Sequence, residues 1–145
     1  ALRISGHRTL ELVHAIPEEK FDYRYAPEKW SIRELLCHMI DAERIFAYRA
    51  LRFARNDKTP LSGWDENEYA PQANASGRSK SSIAQEMAHV RMSTLDLFES
   101  FTPEILIRKG IANKNELSVV ALGFIIAGHE THHCQVIKER YLIKK

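Results

Sequence analysis

Cysteine is nearly absent from this sequence. Cys37 and Cys134 are the only two, too few for a disulfide framework, so an apolar core rather than cross-links must hold the fold. Glycine and proline are also sparse, at six and five residues, which excludes collagen-like and low-complexity chains. No apolar run reaches the roughly 20 residues that span a bilayer, and no leader pattern opens the sequence. A cytoplasmic protein without a membrane partner is the expectation. Ala1 stands where a Met would start a chain, so residues upstream of it are expected. Charge of one sign is missing too: 21 Lys and Arg against 19 Asp and Glu give a net charge of +2, scattered rather than blocked. That balance argues against nucleic acid as a partner. No segment alternates as a strand does, and no repeat is visible.

What is present is helical periodicity. At 145 residues the chain can bury one sizeable core, and residues 1–145 read as a single domain. Residues 2–16 form a short first helix with Ile4, Leu10, Leu12 and Val13 as apolar points, closed by Pro17. The second helix has a strong start, with Ser31 and Glu34 spaced as a capping box and Trp30 and Leu35 as a hydrophobic staple. Leu35, Met39, Ala42, Phe46, Ala50 and Phe53 then recur at helical spacing to about Arg55. Residues 56–78 are rich in turn formers and make a connection longer than the usual structureless loop; Trp64 and Tyr69 inside it predict that part packs back on the bundle. A third helix, capped by Ser79 or Ser82, carries a seam of Ile83, Met87, Val90, Thr94, Leu97 and Phe101. Thr102-Pro103 predicts one short helix stopped by Gly110, residues 113–116 a turn, and Ser118 the cap of a last helix running to Lys145. The expected fold is all-α, a four-helix bundle with a long crossover loop between the second and third helices.

The last helix carries Gly128-His129-Glu130-Thr131-His132-His133-Cys134-Gln135. His129 and His133 stand four apart on its inward seam, so both rings can reach one metal ion. Imidazoles in place of Leu or Ile on a seam cost desolvation energy unless their nitrogens find partners. A third ligand is needed, and the choices are His7, His14, His38, His89 and His132. His38 is the one on an inward face of a long helix, and His132 points about 100° away from His133. Three neutral imidazoles leave a coordination position open, as catalytic rather than structural sites do. Asp41, three residues past His38, is a candidate to buttress it, and Glu130 a candidate general base. Cys37 and Cys134 adjoin proposed ligands and read as small core fillers.

His129 to His133 also spells H-E-x-x-H, the helix motif of zinc proteases. The extension fails, because Val136 and Glu139 stand where that motif needs Gly and His. The substrate-holding β-sheet of such a protease is missing as well.

With these residues in view, the chain resembles the DinB/YfiT-like family of bacterial metal-binding four-helix bundles. The resemblance runs from Tyr25-Ala26-Pro27 onward. It rests on Lys29-Trp30-Ser31-Ile32, on His38 followed by Asp41-Ala42-Glu43-Arg44, on Trp64-Asp65-Glu66-Asn67, and on Ala127-Gly128-His129-Glu130 with His132-His133. It implies His38, His129 and His133 as ligands of a divalent metal, usually zinc or nickel, at one end of the bundle, and a homodimer. It also implies kinship with enzymes that use a low-molecular-weight thiol, either bacillithiol-dependent transferases or mycothiol-dependent isomerases. The chain departs from the family in its cysteines beside ligands and its short first helix. The expected function is thiol S-transferase or hydrolase chemistry on a small-molecule substrate, with a non-enzymatic metal-binding stress-response module as the alternative.

Overall fold

The structure is a computed structural model that describes residues 1–142. Four long helices carry the fold: α1 (Leu2–Ala15), α2 (Ile32–Ala54), α4 (Lys80–Glu99) and α6 (Val119–Val136). Two short helices, α3 (Glu66–Gln72) and α5 (Pro103–Leu106), and a hairpin of β1 (Lys109–Ala112) and β2 (Asn115–Ser118) occupy the connections.

The helix starts follow their first-turn chemistry. Ser31 Oγ accepts from the Glu34 amide at 3.1 Å while Glu34 Oε1 accepts from the Ser31 amide at 3.1 Å, the reciprocal box. Of the two serines before α4, Ser79 is the cap, accepting from the Ser82 amide at 3.1 Å. Thr102 and Ser118 cap α5 and α6 in the same way. Helix α6 passes at Ile137 into a π-helical turn that ends at Tyr141. The helix stops there, with Leu142 as its cap, and the part of the expected continuation over residues 143–145 lies outside the described residues.

The order of helices around the bundle is α1–α4–α2–α6, so α1 sits diagonally across from α2, and α4 from α6. Polar contacts give the directions. Arg3 pairs with Glu99 near one end, and Lys80 Nζ donates to His14 O at 2.7 Å near the other, so α1 and α4 are antiparallel. Arg44 pairs with Glu86 and Arg91 with Glu43, while Arg33 donates to Arg78 O, so α2 and α4 run parallel. His38 meets His129, and Phe53 shares a core cluster with Val119, so α2 and α6 are antiparallel. A parallel pair joined in sequence must return the length of a helix, roughly 35 Å for the 23 residues of α2. This is the physical reason for the long connection over residues 55–79.

That connection is not structureless. Asp65 caps α3 by accepting from the Asn67 amide at 2.9 Å, and a turn of 3-10 helix covers Ala75–Gly77. Leu61 bridges to the hairpin, its amide donating to Ile111 O and its carbonyl accepting from Asn113 N, both at 2.9 Å.

The hairpin corrects the expectation that no strands occur. Its register places Ala112 opposite Asn115, leaving a two-residue turn, Asn113 and Lys114, with φ of 48° and 67°. Strand β1 buries Gly110 and Ala112 and exposes Lys109 and Ile111, so its apolar alternation is inverted and invisible to a pattern search. Gly110 is a packing glycine rather than a helix stop, because a Cβ there would lie 2.1 Å from Cδ1 of Phe53.

The core falls into two clusters. One, around Val13, Ile16, Phe21, Ile32, Leu36, Ile83 and Ile137, fills the end where α2 begins. The other, around Ala50, Phe53, Phe101, Val119 and Leu122, fills the opposite end. Each fully buried Ile, Leu or Phe contributes about 1.5–3 kcal/mol. Ile4, an expected core point of α1, is 58 % exposed; Gly6 and Thr9 face inward instead. No helix among the described residues is long and apolar enough to cross a membrane.

Candidate metal centre

His38 lies in the second turn of α2, and His129 and His133 lie in the last two turns of α6. Antiparallel packing of these two helices brings the three rings together. His129 Nε2 is 3.1 Å from His38 Nε2 and 3.0 Å from His133 Nε2. One ligand atom from each of the three rings falls within 4.8 Å of the others. A ring nitrogen carries either one hydrogen or one lone pair. His129 Nε2 can therefore make a good hydrogen bond to only one of its two close neighbours. A cation that accepts all three lone pairs satisfies the set, so the donor chemistry fits a divalent metal.

The electrostatics agree. His38 is buried and held near pH 4, chiefly by desolvation and then by His129. His133 is pushed down to about 3 by burial and then by His129, His38 and His132. Burial and then His132 lower His129 as well. All three are neutral bases at physiological pH and need lose no proton to bind a metal.

Aromatic rings wall the cluster. The Trp30 ring lies 4.7 Å from His38, and Trp64, from the long crossover, stacks on the same imidazole at 5.8 Å and 25°. Tyr69 packs edge-on against Trp64 at 5.0 Å. The crossover thus returns to the bundle through Trp64 and covers His38.

The other histidines stand apart. His7, His14, His89 and His132 are exposed, and His132 touches the cluster only through its ring edge, 5.2 Å from His133. Cys134 Sγ meets Thr9 Oγ1 at 3.4 Å on the α1 side. Cys37 is buried in the core, with its thiol pushed up to about 11 by desolvation. Asp41 faces Glu86, Arg44 and Arg78, and burial raises its carboxyl. Glu130 turns away from the histidines into a buried cluster with Arg91 and Glu43. Among the described residues neither Asp41 nor Glu130 hydrogen-bonds a histidine of the centre.

That second cluster was missed in the sequence, although Arg91 follows Met87 by four residues and precedes Thr94 by three, on the seam of α4. Arg91 Nε and Nη2 donate to the two oxygens of Glu43 at 3.1 and 2.8 Å, and Thr94 Oγ1 donates to Glu43 Oε2 at 2.7 Å. Arg91 Nη1 donates to Leu2 O and Ser5 Oγ. Gly6 makes the room: a Cβ on it would stand 3.0 Å from Arg91 Nη1.

The sequence profile of the DinB superfamily matches residues 1–137. The chain belongs to the DinB superfamily. A curated relative from Oceanobacillus iheyensis, named as a candidate metal-dependent hydrolase, is 27% identical over 134 residues, covering 91% of this chain and 76% of that protein. Two solved structures from Bacillus subtilis share the fold. YfiT, described as a probable metal-dependent hydrolase with an unusual four-helix bundle topology, superposes with a TM-score of 0.81 at 18% identity, covering 95% of this chain and 80% of that one. The DinB-like protein YjoA superposes with a TM-score of 0.66 at 19% identity, covering 92% and 81%. The diagonal placement of α1 to α2 and of α4 to α6, with α2 beside and parallel to α4, is what this DinB superfamily bundle shows in place of a simple up-and-down order.

Proposed function

We propose that this chain is a metal-dependent enzyme that hydrolyses a small molecule at the His38–His129–His133 centre. The observation that carries the reading is the open donor set. Three imidazole nitrogens converge, and among the described residues no carboxylate or thiolate joins them as a fourth ligand. Closed four-ligand sites are structural, and three-ligand sites leave room for reactants. Cys134 and Glu130, which adjoin the ligands in sequence, turn to Thr9 and Arg91. His38, His129 and His133 would hold a divalent cation, zinc or nickel by the family resemblance, and it would supply Lewis-acid activation of water or of a substrate carbonyl or phosphoryl oxygen. The chain's own residues hold the three rings neutral and converged, and Trp30 and Trp64 screen His38 from solvent. The relative named as a metal-dependent hydrolase supports the hydrolytic form of this reading.

The test is metal content by elemental mass spectrometry, wild type beside His38→Ala, followed by ester and amide hydrolysis with and without added thiol. Near-stoichiometric divalent metal and thiol-independent turnover are expected, both lost in the variant. Turnover that requires the thiol would move the reading to S-transfer. Metal bound without any turnover would overturn the enzyme reading in favour of a metal-binding module.

A further inference from the structure

A cavity of about 250 Å³ lies inside the bundle among all four long helices, just below the roughly 300–1,000 Å³ of typical ligand pockets. Its mouth is between α1 and α4, where Arg3, His7 and Met92 are exposed. Its body is apolar, with Met39, Ile40, Met87 and Ile126 on the wall. Its far side carries His129 and Glu130 together, so one chamber touches both the metal centre and the charged cluster.

Glu130 is 8 % exposed, and its Oε1 is buried without a hydrogen bond. Arg91 Nη2 comes within 3.1 Å of that oxygen as an ion pair. Four of the five guanidinium N–H groups serve Glu43, Leu2 O and Ser5 Oγ, which leaves one on Nη2 for Glu130. Two carboxylates therefore share one guanidinium, which leaves one negative charge uncompensated beside an apolar chamber. A buried charge left uncompensated is costly and is completed by a counter-ion. Arg3 at the mouth does not supply it, being paired with Glu99.

We propose that this chamber binds a small, largely apolar molecule carrying one ammonium group, which pairs with Glu130 while the apolar body lies against Met39, Ile40, Met87 and Ile126. As a statement about substrate it rests on the catalytic reading of the histidine centre; as a statement about binding it does not. An ammonium at Glu130 places the rest of the molecule against His129, which makes Glu130 a specificity residue for the reaction.

The experiment uses metal-loaded protein and three probes of one length, hexylamine, 1-hexanol and hexanoate, with affinity read by calorimetry. Hexylamine is expected to bind at least about tenfold tighter than the other two. In Glu130→Gln, with its fold checked by circular dichroism and its metal by mass spectrometry, that preference is expected to vanish. Ala88→Phe, which fills the chamber from α4, is expected to weaken the amine and the alcohol alike. No amine preference in the wild type overturns the inference without any variant, as does a preference that survives Glu130→Gln or amine binding untouched by Ala88→Phe. If zinc binds and esters are hydrolysed but charge is not discriminated, this inference fails and the hydrolase reading stands. If the amine binds as described but no metal is held, the chamber stands and the hydrolase reading fails.

Discussion

The two polar clusters buried in the middle of this bundle both draw on α2 and α6, and they differ in how their electrostatics close. His38, His129 and His133 are uncharged bases facing one another, each with burial lowering its proton affinity. Glu43, Arg91 and Glu130 are charges, of which Glu43 and Arg91 satisfy each other and Glu130 does not. Residues 129 and 130 both line the chamber, but the rotation of about 100° per residue in a helix sends one to the other histidines and the next to Arg91. The comparison teaches that the first cluster offers lone pairs suited to a cation from outside the chain, whereas the second is held together mainly by its own internal pair.

Breaking the charged cluster should have the largest effect on stability. Arg91→Met leaves Glu43 and Glu130 buried without their guanidinium, and a loss of about 3–5 kcal/mol is expected in urea unfolding. Metal stoichiometry in protein that remains folded should not change. Adding Glu43→Leu and Glu130→Leu to that variant should recover much of the loss, since an apolar replacement removes the stranded charges. A triple variant as unstable as the single one would show that the cluster does not act electrostatically.

The histidine cluster should respond the other way. His38→Ala or His133→Ala is expected to weaken metal binding by more than the 10–100-fold typical of supporting residues, with the metal-free fold retained. Competition with a chromophoric chelator measures this. An unchanged affinity in both variants would remove the cluster as the metal centre.

A smaller effect separates the clusters by pH. The folded-state values of His38 and His133, about 4 and about 3, lie below the ordinary 6.5. The unfolded chain then takes up protons first as pH falls. Stability of the metal-free protein is full above pH 6.5 and declines as pH drops toward those folded-state values. Urea midpoints followed from neutral pH downward should show the decline, and it should be shallower in His133→Ala. A profile as steep in the variant as in the wild type would assign the acid loss elsewhere.

The smallest expected change is in Gly6→Ala. Alanine is favoured over glycine by roughly 1 kcal/mol inside a helix, but its Cβ would stand 3.0 Å from Arg91 Nη1. We expect the two effects to offset to within about 1 kcal/mol, with metal affinity unaltered. A thermal melt decides the sign, and a gain of the full helix propensity would mean that Arg91 moves freely.

Much of this was legible along single helices. The box of Ser31 and Glu34, the caps at Ser79, Thr102 and Ser118, and the stripe from Leu35 to Phe53 all depend on residues within one or two turns. His129 and His133 read as a pair for the same reason, and His38 followed from the inward face of α2. The hairpin was hidden because β1 buries Gly110 and Ala112 beside Phe53 and turns Ile111 outward. The structure inside the crossover was hidden because α3 has only seven residues and Leu61 pairs with a distant segment.

The sequence by itself determined three long helices with their starting caps, a shorter first helix and a metal-suited pair of imidazoles, since period and first-turn chemistry are local. Only the tertiary structure decided that α2 runs parallel to α4, that Trp64 returns to cover His38, and that Glu130 faces Arg91 and a chamber rather than the histidines. Those outcomes depend on which helix faces meet. That is a matter of packing between residues far apart in the chain, and no period within one helix encodes it.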